Sequence, residues 1–159
     1  MWTITNPNTN KWYVGPLGQN TTNAEAGNGL YISNDEGVSN AYTNNATSVA
    51  HASVLINIEE NTLYGISFDY KSVGEETCCD YVGVRLVPFG QDLGTSNTLS
   101  HMIDRSPYGT NNEWQRVNIE VPTSTTPGAY NLVFSWRNDS SAGENPPAAI
   151  DNVSIYTTS

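Results

Sequence analysis

Lys71, Arg85 and Arg137 are half of the six cations in a chain whose formal net charge is −10. Each stands at a polar position of a segment that alternates apolar and polar residues, the period of a half-buried strand. The same polar positions carry Ser67 and Asp69, Tyr81 and Gly83, and Asn131 and Ser135. If the three segments are neighbouring strands, Lys71, Tyr81, Arg85, Arg137, Asp69 and Asn131 make a polar platform with one aromatic ring. Such surfaces bind sugars, because a ring stacks on a pyranose while amides and charged groups take its hydroxyls. Arg and Lys also suit the carboxylate of an acidic sugar, Arg bidentately. A solvated sheet face that merely keeps the protein soluble has the same composition, so both readings stay open. His101, Arg105 and Tyr108 lie in an irregular stretch, with Trp114 at its far end. From there they reach a ligand at the edge of the domain or else pack their own loop.

Oxygen donors form a second group. Asn34, Asp35 and Glu36 share one turn, and Asp151 and Asn152 open the last strand. Calcium takes six to eight such oxygens, although Asp and Asn are also ordinary turn residues. Catalytic signatures are lacking: the chain has no G-x-S-x-G, H-E-x-x-H, P-loop or C-x-x-C sequence. A glycosidase needs only two carboxylates at a set separation, and sixteen acids supply many pairs. A small lyase or glycosidase therefore remains a rival, but the reading is that the chain is not an enzyme. Cys78 and Cys79 are adjacent, and either two free thiols or one vicinal disulfide fits them.

The elements that must position these residues are strands. Val54, Ile56 and Ile58 form one apolar stripe; Tyr64, Ile66, Phe68 and Tyr70 another; Val82, Val84 and Leu86 a third. Val117, Ile119 and Val121, then Tyr130, Leu132, Phe134 and Trp136, then Val153 and Ile155, continue the series. With segments near Trp12–Val14 and Leu30–Ser33 the count reaches about eight. Turn signals at 27–29, 34–37, 59–62, 127–128 and 138–147 separate them. No window keeps a helical period. One-sided strands must bury their stripes against a second sheet, which predicts an all-β, two-sheet antiparallel sandwich over residues 1–159. From about Phe89 to Asn112 no alternation is visible, and a loop that long inside a domain is commonly functional.

Composition narrows the partners. An acidic surface repels phosphate backbones and anionic membranes, so nucleic acid is a poor candidate. No apolar stretch is long enough to span a bilayer. Met1 is followed at once by strand-like sequence, which reads as the start of a module cut from a larger secreted protein, monomeric beside other domains.

The blocks Leu30–Asp35 with Gly37, Ile66–Lys71 with Gly74-Glu75 and Asp80-Tyr81, and Leu132–Trp136 with Pro146–Val153 resemble a family. It is the cleaved-adhesin and MAM-like jelly rolls of extracellular Bacteroidetes proteins, which include modules like carbohydrate-binding modules. The resemblance runs from about Trp12 to Ile155. It implies a jelly-roll-like sandwich, secreted or at the cell surface. It also implies a structural calcium with an acid from the last strand, hence Asp151, and with Asp35 or Asn34 as further candidates. By the same pattern Trp12 is core; Trp2 precedes the blocks and is a candidate for exposure. Cys78 and Cys79 have no place in the pattern. Family members serve as adhesins, sugar binders and spacers. The expectation is therefore a carbohydrate-binding module for an acidic, uronic-acid-bearing polysaccharide. The alternatives are an adhesin module gripping a host or matrix protein and a structural spacer of a secreted enzyme.

Overall fold

A computed structural model describes every residue except 1, 7, 23–27, 76, 109–111 and 159. The predicted strands are present as β2 (Lys11–Gly15), β3 (Gly29–Ser33), β4 (Ser48–Ile58), β5 (Leu63–Lys71), β6 (Tyr81–Pro88), β8 (Gln115–Glu120), β9 (Gly128–Asn138) and β10 (Ala149–Thr158). Two short strands join them: β1 (Thr3–Thr5) and β7 (Met102–Arg105), the latter inside the stretch that shows no alternation. At four residues β7 is too short to display a period. It exists because it pairs with β6. Gly27 of the expected 27–29 turn lies outside the described residues; Gly29 starts β3. Among the described residues no helix is long and apolar enough to cross a membrane.

The strands form two five-stranded antiparallel sheets, in the orders β1-β4-β9-β6-β7 and β2-β3-β10-β5-β8. The predicted stripes supply the core between them, with Ile66, Phe68, Val82, Val84, Phe134, Trp136 and Ile150 all at 2% exposure or less. Phe68 meets Phe134 across the core at 5.0 Å, ring edge to face. Trp12 is core as expected, and its indole N–H donates to the Ala50 carbonyl of the opposite sheet. Trp2 is half-buried and packs against Phe134 at 5.7 Å rather than standing free.

Both sheets are also covered on their outer faces. Residues 89–101 form a strap across the first sheet. His51 Nε2 bonds the Gly94 carbonyl at 2.8 Å, Arg85 Nε donates to the Ser100 carbonyl at 2.8 Å, and Leu99 packs where Gly83 leaves room. On the second sheet a 3-10 turn, Pro16–Gly18, and Asn20 take the corresponding place. Asn20 donates from its backbone to Asp151 and from its amide to Asp69. Gly18 and Gly29 touch backbone to backbone: a Cβ on Gly29 would stand 2.0 Å from the Gly18 carbonyl oxygen. Only glycine leaves space there.

Candidate functional site

The six platform residues divide between the two sides of the sandwich. Tyr81 and Arg85 on β6 and Asn131 and Arg137 on β9 share the outer face of the first sheet, with Tyr81 opposite Arg137 in the ladder. Asp69 and Lys71 belong to β5 in the other sheet. The continuous platform read from the sequence is therefore two surfaces.

Arg85 is not at a surface. It is 1% exposed beneath the strap. Its guanidinium donates to the Ser100 carbonyl and hydroxyl and to Ser135 Oγ, the last at 3.0 Å. Ser135 Oγ also sits 2.7 Å from Nδ1 of His51, which is fully buried. Burial holds the His51 imidazole below its ordinary pKa, with the Arg85 charge acting in the same direction. The Gly94 contact and Asp92 oppose them. These groups anchor the strap, which covers Arg85 and keeps it from solvent.

At the end of the same face the structure gathers three predicted residues. The Arg105 guanidinium lies 3.6 Å from the Tyr81 ring centroid and that of Arg137 5.1 Å from it. The two cations leave Tyr81 only 7% exposed. Its ring serves them and offers no stacking surface to a pyranose. Arg137 Nη1 makes one long contact, 3.4 Å, to the Asn97 carbonyl of the strap, and its Nε is buried without a partner. Among the described residues the salt bridge is that of Arg116 with Asp69; none joins Arg137 or Arg85 to a carboxylate. In a chain of net charge −10, a cation without a counter-ion beside a second cation is a ready anion contact.

The other predicted residues are scattered. His101 is exposed, and its backbone carbonyl accepts from Leu86. Tyr108 packs edge-on to Phe68 and Tyr70 at 5.6 and 5.3 Å and so belongs to the core margin. Trp114 is half-buried, with the Lys71 ammonium 5.1 Å over its ring. Asp69 is 2% exposed and ion-paired with Arg116. Burial pushes its carboxyl up, but hydrogen bonds from Arg116, Asn152 and Asn20 outweigh that and hold it below the usual range.

The three expected metal ligands do not converge. Asp35 accepts from the Ser33 hydroxyl and the Ser39 amide, which closes its turn and lowers its pKa, the Ser33 bond contributing most. Asn34 donates to Thr43. Asp151 stands opposite Asp69 on β10 and accepts from Asn20 and Asn152. A different set comes together. Carboxylate oxygens of Glu75, Asp80 and Asp139 lie within 4.8 Å of one another. Asp80 is fully buried, accepting from the Tyr42 hydroxyl at 2.5 Å and the Asp139 amide at 3.0 Å. Burial raises its pKa, with the Tyr42 bond opposing. Three converging carboxylates fit a hard cation. Their sequence signal was the β6–β9 register: pairing Tyr81 with Arg137 brings Asp80 to the residues just past Asn138.

Two hollows remain. A polar one of about 510 Å³ is lined by Asn8, Thr9, Lys11, Tyr13, Asn34 and Glu36. It combines an aromatic ring, amides and a cation, and sequence reading passed over Lys11 and Tyr13 because β2 shows too few residues for a face to be assigned. The other, about 500 Å³, opens between the sheets. Trp2, Leu30, Val54 and Ile155 line it, with Asp151 as its one carboxylate.

No family model matches the sequence, and no curated protein matches it. Solved structures do. The enzymatically active domain of tailspike protein 4 of bacteriophage CBA120 superposes with a TM-score of 0.58 at 15% identity, covering 99% of this chain and 19% of that one. TmCBM61, solved in complex with β-1,4-galactotriose, superposes with a TM-score of 0.52 at 11% identity. That match covers 99% of this chain and 88% of the other. The chain thus spans 19% of the length of the tailspike domain and most of the binding module. At these identities the likeness shows a shared β-sandwich fold.

Proposed function

We propose that the chain is a non-catalytic carbohydrate-binding module for an acidic, uronate-bearing polysaccharide, held at the Arg105–Tyr81–Arg137 stack. The observation that carries this reading is Arg137. It is a guanidinium fixed over an aromatic ring, beside a second guanidinium, with one long hydrogen bond and, among the described residues, no salt bridge to a carboxylate. A uronate carboxylate would pair with the terminal Nη groups of the guanidinium, which hold only the long Asn97 contact, and a charge-assisted pair of this kind is worth about 1.5–3 kcal/mol. The fold it shares with a galactotriose-binding module supports a glycan as the partner. A secreted or cell-surface setting, as a module beside other domains, belongs to the same reading.

The test is binding of galacturonate oligomers by calorimetry. Arg137→Met keeps the apolar stem over Tyr81 and removes the charge. It should weaken binding roughly ten-fold or more, with the thermal midpoint little changed. Wild-type affinity in Arg137→Met and in Arg105→Met would reject the stack. A loss of binding in Tyr13→Ala would then place the glycan in the Lys11–Tyr13 hollow, the second reading, favoured by its mix of ring, amides and cation.

The finer reading of the acidic cluster is a structural calcium held by Glu75, Asp80 and Asp139. It would relieve the repulsion around the buried Asp80 and tie the β5–β6 turn to the end of β9. Chelation should lower the melting temperature, and added calcium should restore it. A melting temperature indifferent to both would reject the ion.

A further inference from the structure

The adjacent cysteines found no role in the family pattern or in the glycan reading. In the structure Cys78 and Cys79 are joined as a disulfide in the turn between β5 and β6. The Glu75 carbonyl organises that turn by accepting from the amides of Cys78, Cys79 and Asp80 at 3.1, 2.8 and 3.1 Å. The turn brings the side chains of Glu75, Cys78 and Cys79 together. The Glu75 carboxylate and both sulfurs accordingly lie within 4.8 Å of one another. Cys78 is exposed and Cys79 half-buried, so solvent and small reagents reach the pair.

Glu75 belongs to two donor sets. One is Glu75, Asp80 and Asp139, all oxygen; the other is Glu75, Cys78 and Cys79, two sulfurs and one oxygen. Cations sort between such sets by softness. Carboxylates suit calcium and magnesium, whereas thiolates with one harder ligand suit zinc-class ions. A sulfur in a disulfide has no thiolate charge to give a metal. The redox state of the pair therefore decides whether the second set exists.

We propose that the turn Glu75–Asp80 is a thiol-gated metal site. When the pair is reduced, Cys78, Cys79 and Glu75 bind a thiophilic divalent cation of the zinc class, with water in the fourth position. When it is oxidised, the site is lost and Glu75 is left to Asp80 and Asp139. Two low-molecular-weight thiols reduce the pair: they couple to their own disulfide and pass two electrons and two protons to Cys78–Cys79, which becomes two thiols. Metal binding then releases those two protons. In the reverse step two thiolates exchange with a low-molecular-weight disulfide: the Cys78–Cys79 bond re-forms, two small thiolates leave and take two protons from water, and the metal departs. The neighbouring carboxylates make the turn strongly negative, which disfavours a free thiolate and favours a thiolate neutralised by a cation.

The probe is cobalt(II), whose thiolate complexes show a sulfur-to-metal charge-transfer band. The whole chain is reduced with a phosphine, which becomes phosphine oxide as the disulfide becomes two thiols. It is then titrated beside the oxidised chain. The reduced protein should develop the band to an end point of one equivalent and lose it when zinc is added. The oxidised protein should show no band. Cys78→Ser/Cys79→Ser should show none in either state with its circular dichroism unchanged. Glu75→Gln should keep the band and bind at least ten-fold more weakly. The proposal is overturned if the reduced chain, with two thiols titrated, shows no charge-transfer band. It is overturned equally if cobalt binds the double serine variant with the same affinity and spectrum, or if Glu75→Gln binds as tightly as wild type. None of these readouts depends on glycan binding.

Discussion

Asp69 shows how a single side chain here contradicts its apparent exposure. It alternates with core residues on β5, so it faces outward, yet it is 2% exposed and held by Arg116, Asn20 and Asn152. Because its folded pKa is lowered, its stabilising contribution is complete above the unfolded value of about 3.9 and is lost as pH falls through the folded one. Arg116→Ala removes the ion-pair partner of the buried carboxylate. It should cost about 1–3 kcal/mol at neutral pH. Urea unfolding of both proteins checks this, and their stabilities should converge as pH drops below about 4. A gap that stays constant down to pH 2 would assign the loss to packing rather than to charge.

At the scale of elements the strap over the first sheet is the counterpart. Residues 89–101 are held by His51 at the Gly94 carbonyl, Arg85 at Ser100 and Arg137 at Asn97. Charged or titratable groups facing His51 are Arg85 and Asp92, with the Ser135 hydroxyl against its other nitrogen. A buried neutral histidine contributes stability that is present above its unfolded pKa of about 6.5 and is lost as pH falls from there towards the lowered folded value. Hydrogen exchange of the strap amides, corrected for the intrinsic pH dependence, should therefore show protection falling between pH 7 and pH 5. In His51→Gln, which has no proton to gain, protection should stay level; equal pH dependence in both would detach the strap from His51. The same strap marks the limit of the sequence. The β4, β5, β6 and β9 stripes were legible because a core face must be apolar at every second residue. The opposite positions Asp69, Arg85 and Ser135 are polar and so read as solvent-facing, and His51 carries no signal of its own. They are buried because distant loops bring carbonyls and amides to them, a non-local pairing that no alternation records. For the same reason the Arg105–Tyr81–Arg137 stack was legible as three residue types but not as one place: Arg105 comes from β7, a strand too short to announce itself.

The whole molecule is a sandwich with polar covers on both outer faces, acidic overall, with the cations Arg105 and Arg137 paired over Tyr81 at the end of the first sheet. An acidic polysaccharide approaching it is repelled at long range and attracted at contact. At about 0.1 M salt the Debye length is about 10 Å, so the repulsion is screened while the close Arg contacts survive. Affinity gel electrophoresis at that ionic strength, with polygalacturonate or neutral galactan cast in the gel, tests the central claim most directly. Migration of the wild-type chain should be retarded by polygalacturonate more than by galactan. Equal mobility in the polygalacturonate gel and in a gel without polysaccharide would contradict the account.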